Sequence, residues 1–217
     1  MRIVVTAGPT REPIDPVRFI SNRSSGKMGY ALAEAALESG HDVTLISGPV
    51  ALSVPEGARL VNIVSADELF EAVHQHVREC DALVMCAAVS DYKPLTAAPR
   101  KMAKQLGDWK LPLTPTRDIL ASLPRADREY LVVGFAAETH DVAVSARKKL
   151  HAKNCDVIIA NDVSGSDVGM ECDDNEVTLF FREGGEKQIP RARKKVIARE
   201  IMKIVFELYE KRLTKKS

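Results

Sequence analysis

The segment IVVTAGP, from Ile3 to Pro9, predicts a buried β-strand that ends in a turn. Its first five residues are apolar or β-branched, and the glycine and proline that follow do not extend a strand. A polar stretch comes next, and then an alanine- and leucine-rich run from Met28 to Ser39 with helical spacing, ended by Gly40. This order of strand, loop and helix is the first unit of an alternating α/β fold.

The same alternation continues along most of the chain. We therefore expect an α/β fold of the Rossmann-like, doubly wound type, with a mainly parallel sheet and helices on both faces. Ligands of such sheets lie beyond the carboxyl ends of the strands. The further predicted strands are Asp42–Ile46, Arg59–Val64, Asp81–Ala88, Leu131–Ala136 and Asp156–Ala160, and the helices between them are Ser65–Glu79 and Val142–Lys153.

Two regions depart from the alternation. Residues 91–115 are long, polar and proline-containing, with a short β-like piece at Trp109–Leu113, and such loops usually serve as lids or arms. Near the end of the chain, Glu176–Pro190 predicts an antiparallel hairpin, and Arg193–Leu213 predicts a final helix. We expect one domain over residues 1–217, with a protruding arm at 91–115.

Composition excludes several classes of function. The chain has 217 residues, 45% of them hydrophobic and 28% charged, and its net charge of +1 favours neither nucleic acid nor a membrane surface as a partner. Its four cysteines form no C-x-x-C pair, and Cys80, Cys86 and Cys155 adjoin apolar runs, which indicates buried thiols. Without a signal peptide or an apolar run long enough to cross a bilayer, a cytoplasmic protein is expected.

The start of the first predicted helix has the features of an anion site. Ser24, Ser25 and Gly26 lie just before it, where free N–H groups and the helix dipole attract negative charge. Arg18, Asn22 and Lys27 add side chains suited to phosphate and carbonyl groups, which favours a ligand site over a simple helix cap.

Two common nucleotide motifs are missing. A Walker A loop fails because Ser21 stands at its first glycine position and Met28 at its Ser/Thr position. The dinucleotide motif G-x-G-x-x-G does not follow the first strand, and no acidic residue follows the second. An NAD(P)-dependent reductase is therefore a weaker alternative, and a non-catalytic nucleotide-binding module is another.

Other candidate residues allow two interpretations each. Asp91 either holds a hydroxyl, a base amine or a metal, or caps a turn, and Phe135 either stacks on a base or joins the core. Lys149 and Lys153 share a helix face and either meet an anion or are solvated. Asn161 and Asp162 either form a turn or contact a ligand. The cations of Arg100–Lys104 act only if the arm closes over a triphosphate.

Four segments together resemble the phosphopantothenate–cysteine ligase family, in this order along nearly the whole chain. They are REPIDPVRFISNRSSGKMG (Arg11–Gly29), AAVSDY (Ala87–Tyr92), GFAAET (Gly134–Thr139) and ANDV (Ala160–Val163). The first is long and specific, and the others would be weak alone.

The resemblance implies an enzyme that joins L-cysteine to 4′-phosphopantothenate through an acyl-cytidylate, with CTP as co-substrate in the bacterial type and Mg²⁺ present. It also implies a homodimer with shared active sites, and no FMN, because a flavin decarboxylase half is not part of this chain.

Individual roles follow from the matching positions. Lys101 matches a catalytic lysine, Asn22 an asparagine that handles the acyl intermediate, and Arg18 a ligand of phosphopantothenate. One departure is Ala103, where the family's arm usually has a further lysine. Positions that match nucleotide contacts are Met85, Cys86, Ala87, Asp91, Thr116, Arg117, Asp118, Ile119, Phe135, Lys149 and Lys153.

Overall fold

Eight strands form a single, mainly parallel sheet, as the alternating pattern predicts. The computed structural model describes residues 1–104, 106–124, 128–138, 141–162 and 172–216. The strands are β1 (Arg2–Ala7), β2 (Arg11–Pro13), β3 (Phe19–Ser21), β4 (Asp42–Ser47), β5 (Arg59–Asn62), β6 (Ala82–Met85), β7 (Tyr92–Pro94), β8 (Leu113–Pro115), β9 (Leu131–Glu138), β10 (Val157–Asp162), β11 (Asp174–Phe181) and β12 (Glu186–Arg193). The helices are α1 (Lys27–Glu38), α2 (Ala66–His76, continued by a 3₁₀ turn at Val77–Glu79), α3 (Ile119–Ser122), α4 (Val142–Ala152) and α5 (Lys194–Lys216).

The strand order is β12-β11-β10-β9-β6-β1-β4-β5. The six strands from β10 to β5 are parallel, and β11 and β12 add an antiparallel hairpin at one edge. Central strands such as β6 are buried along their whole length because helices cover both faces of the sheet. The predicted Rossmann-like fold with a carboxyl-terminal hairpin is confirmed.

Two apolar cores lie on opposite faces of the sheet. Alternate residues of β1 point to opposite faces, so Val5 joins the core under α1 and α5, and Val4 joins the core under α2, α3 and α4. Of the described helices, none is long and apolar enough to cross a membrane.

A glycine brings α1 close to the sheet. At Gly29 an added Cβ would stand 2.5 Å from the Cβ of Ala7, the last residue of β1. Because a real Cβ would overlap the strand, glycine allows α1 to begin directly over the carboxyl end of β1. The predicted anion site and the predicted ligand edge of the sheet therefore meet.

Several boundaries differ from the predictions. The polar stretch after β1 contains the β2–β3 hairpin, in which Arg11 pairs with Ser21. The fourth predicted strand ends at Met85 rather than Ala88, because the chain leaves the ladder there and forms a single bridge from Ala88 to Pro9. The β-like piece of the arm lies at Leu113–Pro115 rather than Trp109–Leu113, and it pairs with β7.

Candidate active site

A cleft of about 280 Å³ opens at the carboxyl ends of β6, β9 and β10, where the sequence predicts the ligand edge. The amino terminus of α1 forms one side of it, and the loop after β6 forms another. Its lining residues are Asn22, Ser24, Gly26, Lys27, Met28, Gly29, Cys86, Ala87, Ala88, Val89, Asp91, Phe135, Ala136, Ala137, Asn161, Asn175 and Lys194.

Two buried threonines hold the loop after β6 in place. The Thr6 hydroxyl oxygen accepts hydrogen bonds from the backbone N–H groups of Cys86 and Ala87, at 3.1 and 3.0 Å. The Thr10 hydroxyl oxygen accepts one from the N–H of Ser90 at 3.0 Å. Neither residue was predicted from the sequence, although a threonine within an apolar strand or beside a strand end is the signal that could have indicated them.

Asn22 ties two loops of the cleft together. Its amide nitrogen Nδ2 donates to the backbone carbonyls of Ala88 at 3.3 Å and Val89 at 3.0 Å. The loop after β3 is thereby fixed against the loop after β6, and the Asn22 side chain lies where the two loops converge.

The predicted nucleotide residues form two adjoining groups. Cys86, Ala87, Asp91 and Phe135 line the cleft, whereas Met85 is buried directly beneath it. Phe135 is half-buried and also packs against the core under α1, which confirms its core interpretation, while its stacking on a base stays a prediction.

The second group lies on the α3 side, outside the lining of the cleft. The Thr116 backbone N–H donates to the Asp91 carbonyl at 2.9 Å, which joins this group to the first. Asp118 caps α3 by accepting a hydrogen bond from the Ala121 N–H at 3.0 Å, and its carboxylate lies 3.4 Å from the Lys153 ammonium.

The remaining members of the second group have structural contacts of their own. The Arg117 guanidinium carbon lies 3.7 Å from the centroid of the Phe70 ring, and its Nη1 lies 2.9 Å from Glu71 Oε1. Ile119 is buried in the core under α3, and Lys149 is a half-buried residue of α4. Thr139 and Val163, the ends of two quoted family segments, lie outside the described residues.

The arm is clasped at its base by an ion pair between the buried carboxylate of Asp15 and the partly exposed side chain of Arg18. Arg18 Nε donates to Asp15 Oδ2 at 2.9 Å, and the backbone of Met102 bonds to both side chains: its N–H donates to Asp15 Oδ2 at 3.2 Å, and its carbonyl accepts from Arg18 Nη2 at 2.9 Å. Lys101, next to Met102, is exposed, so the clasp fixes the point from which Lys101 projects.

We expect Asp15→Asn to release the arm at neutral pH. The substitution keeps an oxygen for the N–H groups of Val17 and Arg18, which bond to Oδ1, but places an NH₂ group against the donors of Arg18 and Met102. Cleavage by trypsin after Lys101 and Lys104 should quicken by about tenfold, because the clasped state loses a charged hydrogen-bond acceptor. Asp108→Asn, at an exposed carboxyl of the same arm, is the control, and equal cleavage rates would contradict the clasp.

The clasp should also resist mild acid. The Arg18 guanidinium holds the pKa of the Asp15 carboxyl well below its usual range. A carboxyl with a depressed pKa contributes stability above its unfolded value of about 4 and loses it only as pH falls through the lower folded value. Lowering the pH from 7 to about 5 should therefore leave unchanged the ratio of trypsin cleavage rates between Asp15→Asn and the unsubstituted arm, each pair of rates being measured at the same pH.

Burial disfavours the thiolate form of three of the four cysteines. Burial raises the pKa of Cys86 to about 12, and the same cause raises the pKa of Cys80 and Cys155 to about 12. The predicted buried thiols are confirmed at Cys80 and Cys155, while Cys86 is half-buried at the cleft wall.

Comparison with known proteins places the chain in a family. The family model described as the DNA/pantothenate metabolism flavoprotein C-terminal domain matches residues 1–209. The coenzyme A biosynthesis bifunctional protein CoaBC of Bacillus subtilis (strain 168) is 48% identical over 207 residues, which are 95% of this chain and 51% of that protein. The chain thus spans about half the length of the curated relatives that it matches.

Solved structures agree with this assignment. The crystal structure of the C-terminal domain of CoaBC superposes with a TM-score of 0.81 at 42% identity and covers 96% of each chain. A variant of Cab2, solved in complex with phosphopantothenate-cysteine, shares the fold with a TM-score of 0.80 at 17% identity, covering 99% of this chain and 88% of that one. The chain therefore belongs to the family of the DNA/pantothenate metabolism flavoprotein C-terminal domain.

Proposed function

We propose that this chain joins L-cysteine to 4′-phosphopantothenate in coenzyme A biosynthesis, with CTP as the co-substrate and CMP and pyrophosphate as products. The observation that carries the proposal is the meeting of Asn22, Ala87, Asp91 and Phe135 in one cleft at the ligand edge of the sheet. The relationship to CoaBC, whose printed name describes a bifunctional protein of coenzyme A biosynthesis, supports the same pathway.

The chemistry requires two steps. A carboxylate is a poor acyl donor because its leaving group would be oxide. Its oxygen therefore attacks the α-phosphorus of CTP, the bond to the β-phosphate oxygen breaks, and an acyl-cytidylate and pyrophosphate result. The cysteine amine then attacks the activated carbonyl, loses a proton, and CMP leaves with the electrons of the broken acyl–oxygen bond.

The first step brings two anions together, so it requires cations. Lys101 projects from the clasped arm and is the proposed side chain that neutralises charge developing on the phosphates. Lys149, in α4, and Lys153, directly after α4, are proposed to pair with the triphosphate, which requires Lys153 to exchange its contact with Asp118. Arg18, already bonded to Asp15, is proposed to reach phosphopantothenate from the base of the arm.

The donor set of the cleft is compatible with Mg²⁺. In the described residues no group of three or more His, Cys, Asp and Glu side chains could form a metal cage. Mg²⁺ is commonly held by one or two carboxylates together with substrate phosphates, and Asp91 is a carboxylate that lines the cleft. Asp91 would hold the ion, which when bound supplies charge neutralisation on the phosphate oxygens.

Asn22 is the proposed group for the second step. Its Nδ2 bonds to two backbone carbonyls, so to stabilise the oxyanion one of those bonds must be exchanged for a bond to the substrate. Phe135, with one face toward the cleft, is proposed to pack on the cytosine ring or its sugar.

A homodimer is proposed from apolar groups at the base of the arm. Phe19 is 47% exposed and Trp109 is 49% exposed, and Val17 and Leu113 nearby are also exposed. The segment around Phe19 and the segment around Trp109 lie close together, because the Arg18 guanidinium is 5.9 Å from the centroid of the Trp109 ring. Such clustered apolar groups are typical of protein interfaces. We also propose a cytoplasmic location.

Phe19→Glu should therefore convert the dimer to a monomer. A charge at the centre of an apolar interface loses its solvation on association, which weakens binding by about a hundredfold or more. Sedimentation velocity measures the change. Leu213→Glu, at a 50% exposed leucine near the end of α5, is the matched control and should stay dimeric. A fully active wild-type monomer would reject the proposal.

One assay tests the proposed activity. Purified protein is given CTP, 4′-phosphopantothenate and L-cysteine, and pyrophosphate and the amide product are followed over time. Pyrophosphate should depend on CTP and phosphopantothenate, and the amide should depend on cysteine as well. Binding of CTP without any pyrophosphate would favour a non-catalytic nucleotide-binding module, and each common nucleoside triphosphate in turn establishes the base preference.

A further inference from the structure

A second cavity lies at the opposite end of the sheet from the candidate active site. Its volume is about 530 Å³, a size typical of pockets that hold small molecules. Leu131, the first residue of β9, lines it, which places the cavity at the amino ends of the parallel strands. The turn of the β11–β12 hairpin and the second half of α5 form its other walls. We call it the basal groove, defined by Leu131, Phe181, Lys187, Ile204, Leu208 and Lys211.

The floor of the basal groove is apolar. Leu131 and Ile204 are 4% and 6% exposed and belong to the core under α1 and α5. Phe181 and Leu208 are half-buried and pack against the same core. Because all four residues line the groove, an apolar group that enters it would displace water from apolar surface, which is favourable.

The helix that forms one wall changes from apolar to basic at the groove. On α5, Ile201, Ile204 and Leu208 pack toward the sheet at helical spacing. Lys211 and Lys215 occupy the next two positions of the same stripe, and both line the groove. Apolar residues at these positions would have extended the core, so the lysines instead supply ammonium groups above an apolar floor.

A further lysine approaches from the sheet. Lys187 of β12 pairs with Leu179 of β11 and is two residues from Ile189, and both of these apolar residues are buried in the core under α1 and α5. Because alternate residues of a strand share a face, Lys187 points to the side of the sheet that α5 covers. An inward-pointing charge on an edge strand also discourages pairing with another sheet, but that role does not account for Lys211, which lies on a helix. We call Lys187 and Lys211 the groove lysines.

Positive charge is in excess around the basal groove. Five cationic and three acidic side chains line it within the part of the chain that the structure describes. Two of the acids form ion pairs: Glu183 with Lys215, and Asp156 with Arg128, each at 2.6 Å. Both groove lysines are exposed, so an anionic group of a ligand is able to reach them.

We propose that the basal groove binds a small amphipathic anion. Its apolar chain packs on Phe181 and Leu208, and its anionic head group lies between the groove lysines. The proposal goes beyond the proposed function, because the groove is at the amino ends of the strands and the candidate active site is at their carboxyl ends.

Octyl phosphate is the probe that tests the proposal, by calorimetry below the concentration at which it forms micelles. Octanol, which lacks the charged head, and inorganic phosphate, which lacks the chain, are titrated in parallel. The wild type should bind octyl phosphate at least about tenfold more tightly than either, because chain and head both contribute. Octanol that binds as tightly as octyl phosphate would contradict an anion site.

Substitutions establish where the probe binds. Lys187→Gln and Lys211→Gln should each weaken the binding of octyl phosphate by about fivefold, as expected for an exposed charge pair, and should leave the binding of octanol unchanged. Lys203→Gln, at an exposed lysine of α5 outside the groove, is the matched control and should bind as the wild type. Unchanged affinity in both groove variants would overturn the proposal, including the case in which the probe binds in the candidate active site. None of these titrations contains CTP, so they stand whether or not the proposed reaction occurs.

Discussion

Lys101→Gln is expected to lower the rate of pyrophosphate release from CTP and 4′-phosphopantothenate by about a thousandfold, to background. Activation of the acid joins a carboxylate to a triphosphate, and glutamine keeps most of the length of lysine while removing its charge. The clasp at Met102 is made by the backbone of that residue, so the substitution leaves the base of the arm in place. The expected loss therefore reports the ammonium and not the position of the arm.

Lys110→Gln is the matched control for Lys101. Lys110 is an exposed lysine of the same arm, and it should keep near-normal activity. The affinity for CTP, measured separately by calorimetry, should fall much less than the rate in Lys101→Gln, because the charge matters most in the transition state. Near-normal pyrophosphate release by Lys101→Gln would refute the role of the lysine.

The fold was largely predictable because its signals are local. The apolar runs of β1, β6, β9 and β10 are too short for helices and end at turn residues, and the helices between them show helical spacing. The hairpin β2–β3 was not predictable, because its strands have three residues each and contain Pro13 and Ser21. Such short strands depend on their neighbours rather than on their own pattern.

The site was predictable only in part, for a geometric reason. Ala87 and Asp91 follow β6, Asn22 follows β3, and Phe135 lies in the carboxyl-terminal half of β9, and the rule for parallel sheets brings strand ends together. Lys194 and Asn175 escaped because they belong to the final hairpin and helix, where sequence indicates only structure. Their approach to the cleft depends on the antiparallel edge packing beside β10, a long-range contact that no local pattern records.

The roles of Thr6 and Thr10 also could not be predicted from the sequence. From the sequence, a buried threonine cannot be distinguished from an ordinary strand residue. In the structure, these two hold in place the backbone that lines the cleft. Their role is visible only when their hydroxyl partners are known, because those partners lie about eighty residues away along the chain.

Asn22→Asp is expected to separate the two chemical steps. Acyl-cytidylate formation should continue, with about one pyrophosphate released per active site, while amide formation slows by about a hundredfold, or roughly 3 kcal/mol. The carboxylate has no N–H to donate, and it would stand against the carbonyls of Ala88 and Val89 that Asn22 now bonds. A negative charge there also repels the oxyanion that forms when the cysteine amine attacks.

The prediction is tested by rapid quenching of the reaction, followed by trapping with hydroxylamine, which measures the amount of acyl-cytidylate as a hydroxamate. The hydroxamate formed should rise to about one per site in Asn22→Asp and remain low in the wild type when cysteine is present. Asn62→Asp, at an exposed asparagine on the far edge strand β5, controls for the added charge and should behave as the wild type. Normal turnover of cysteine by Asn22→Asp would remove the asparagine from the second step, because a carboxylate at that position could not stabilise the same oxyanion.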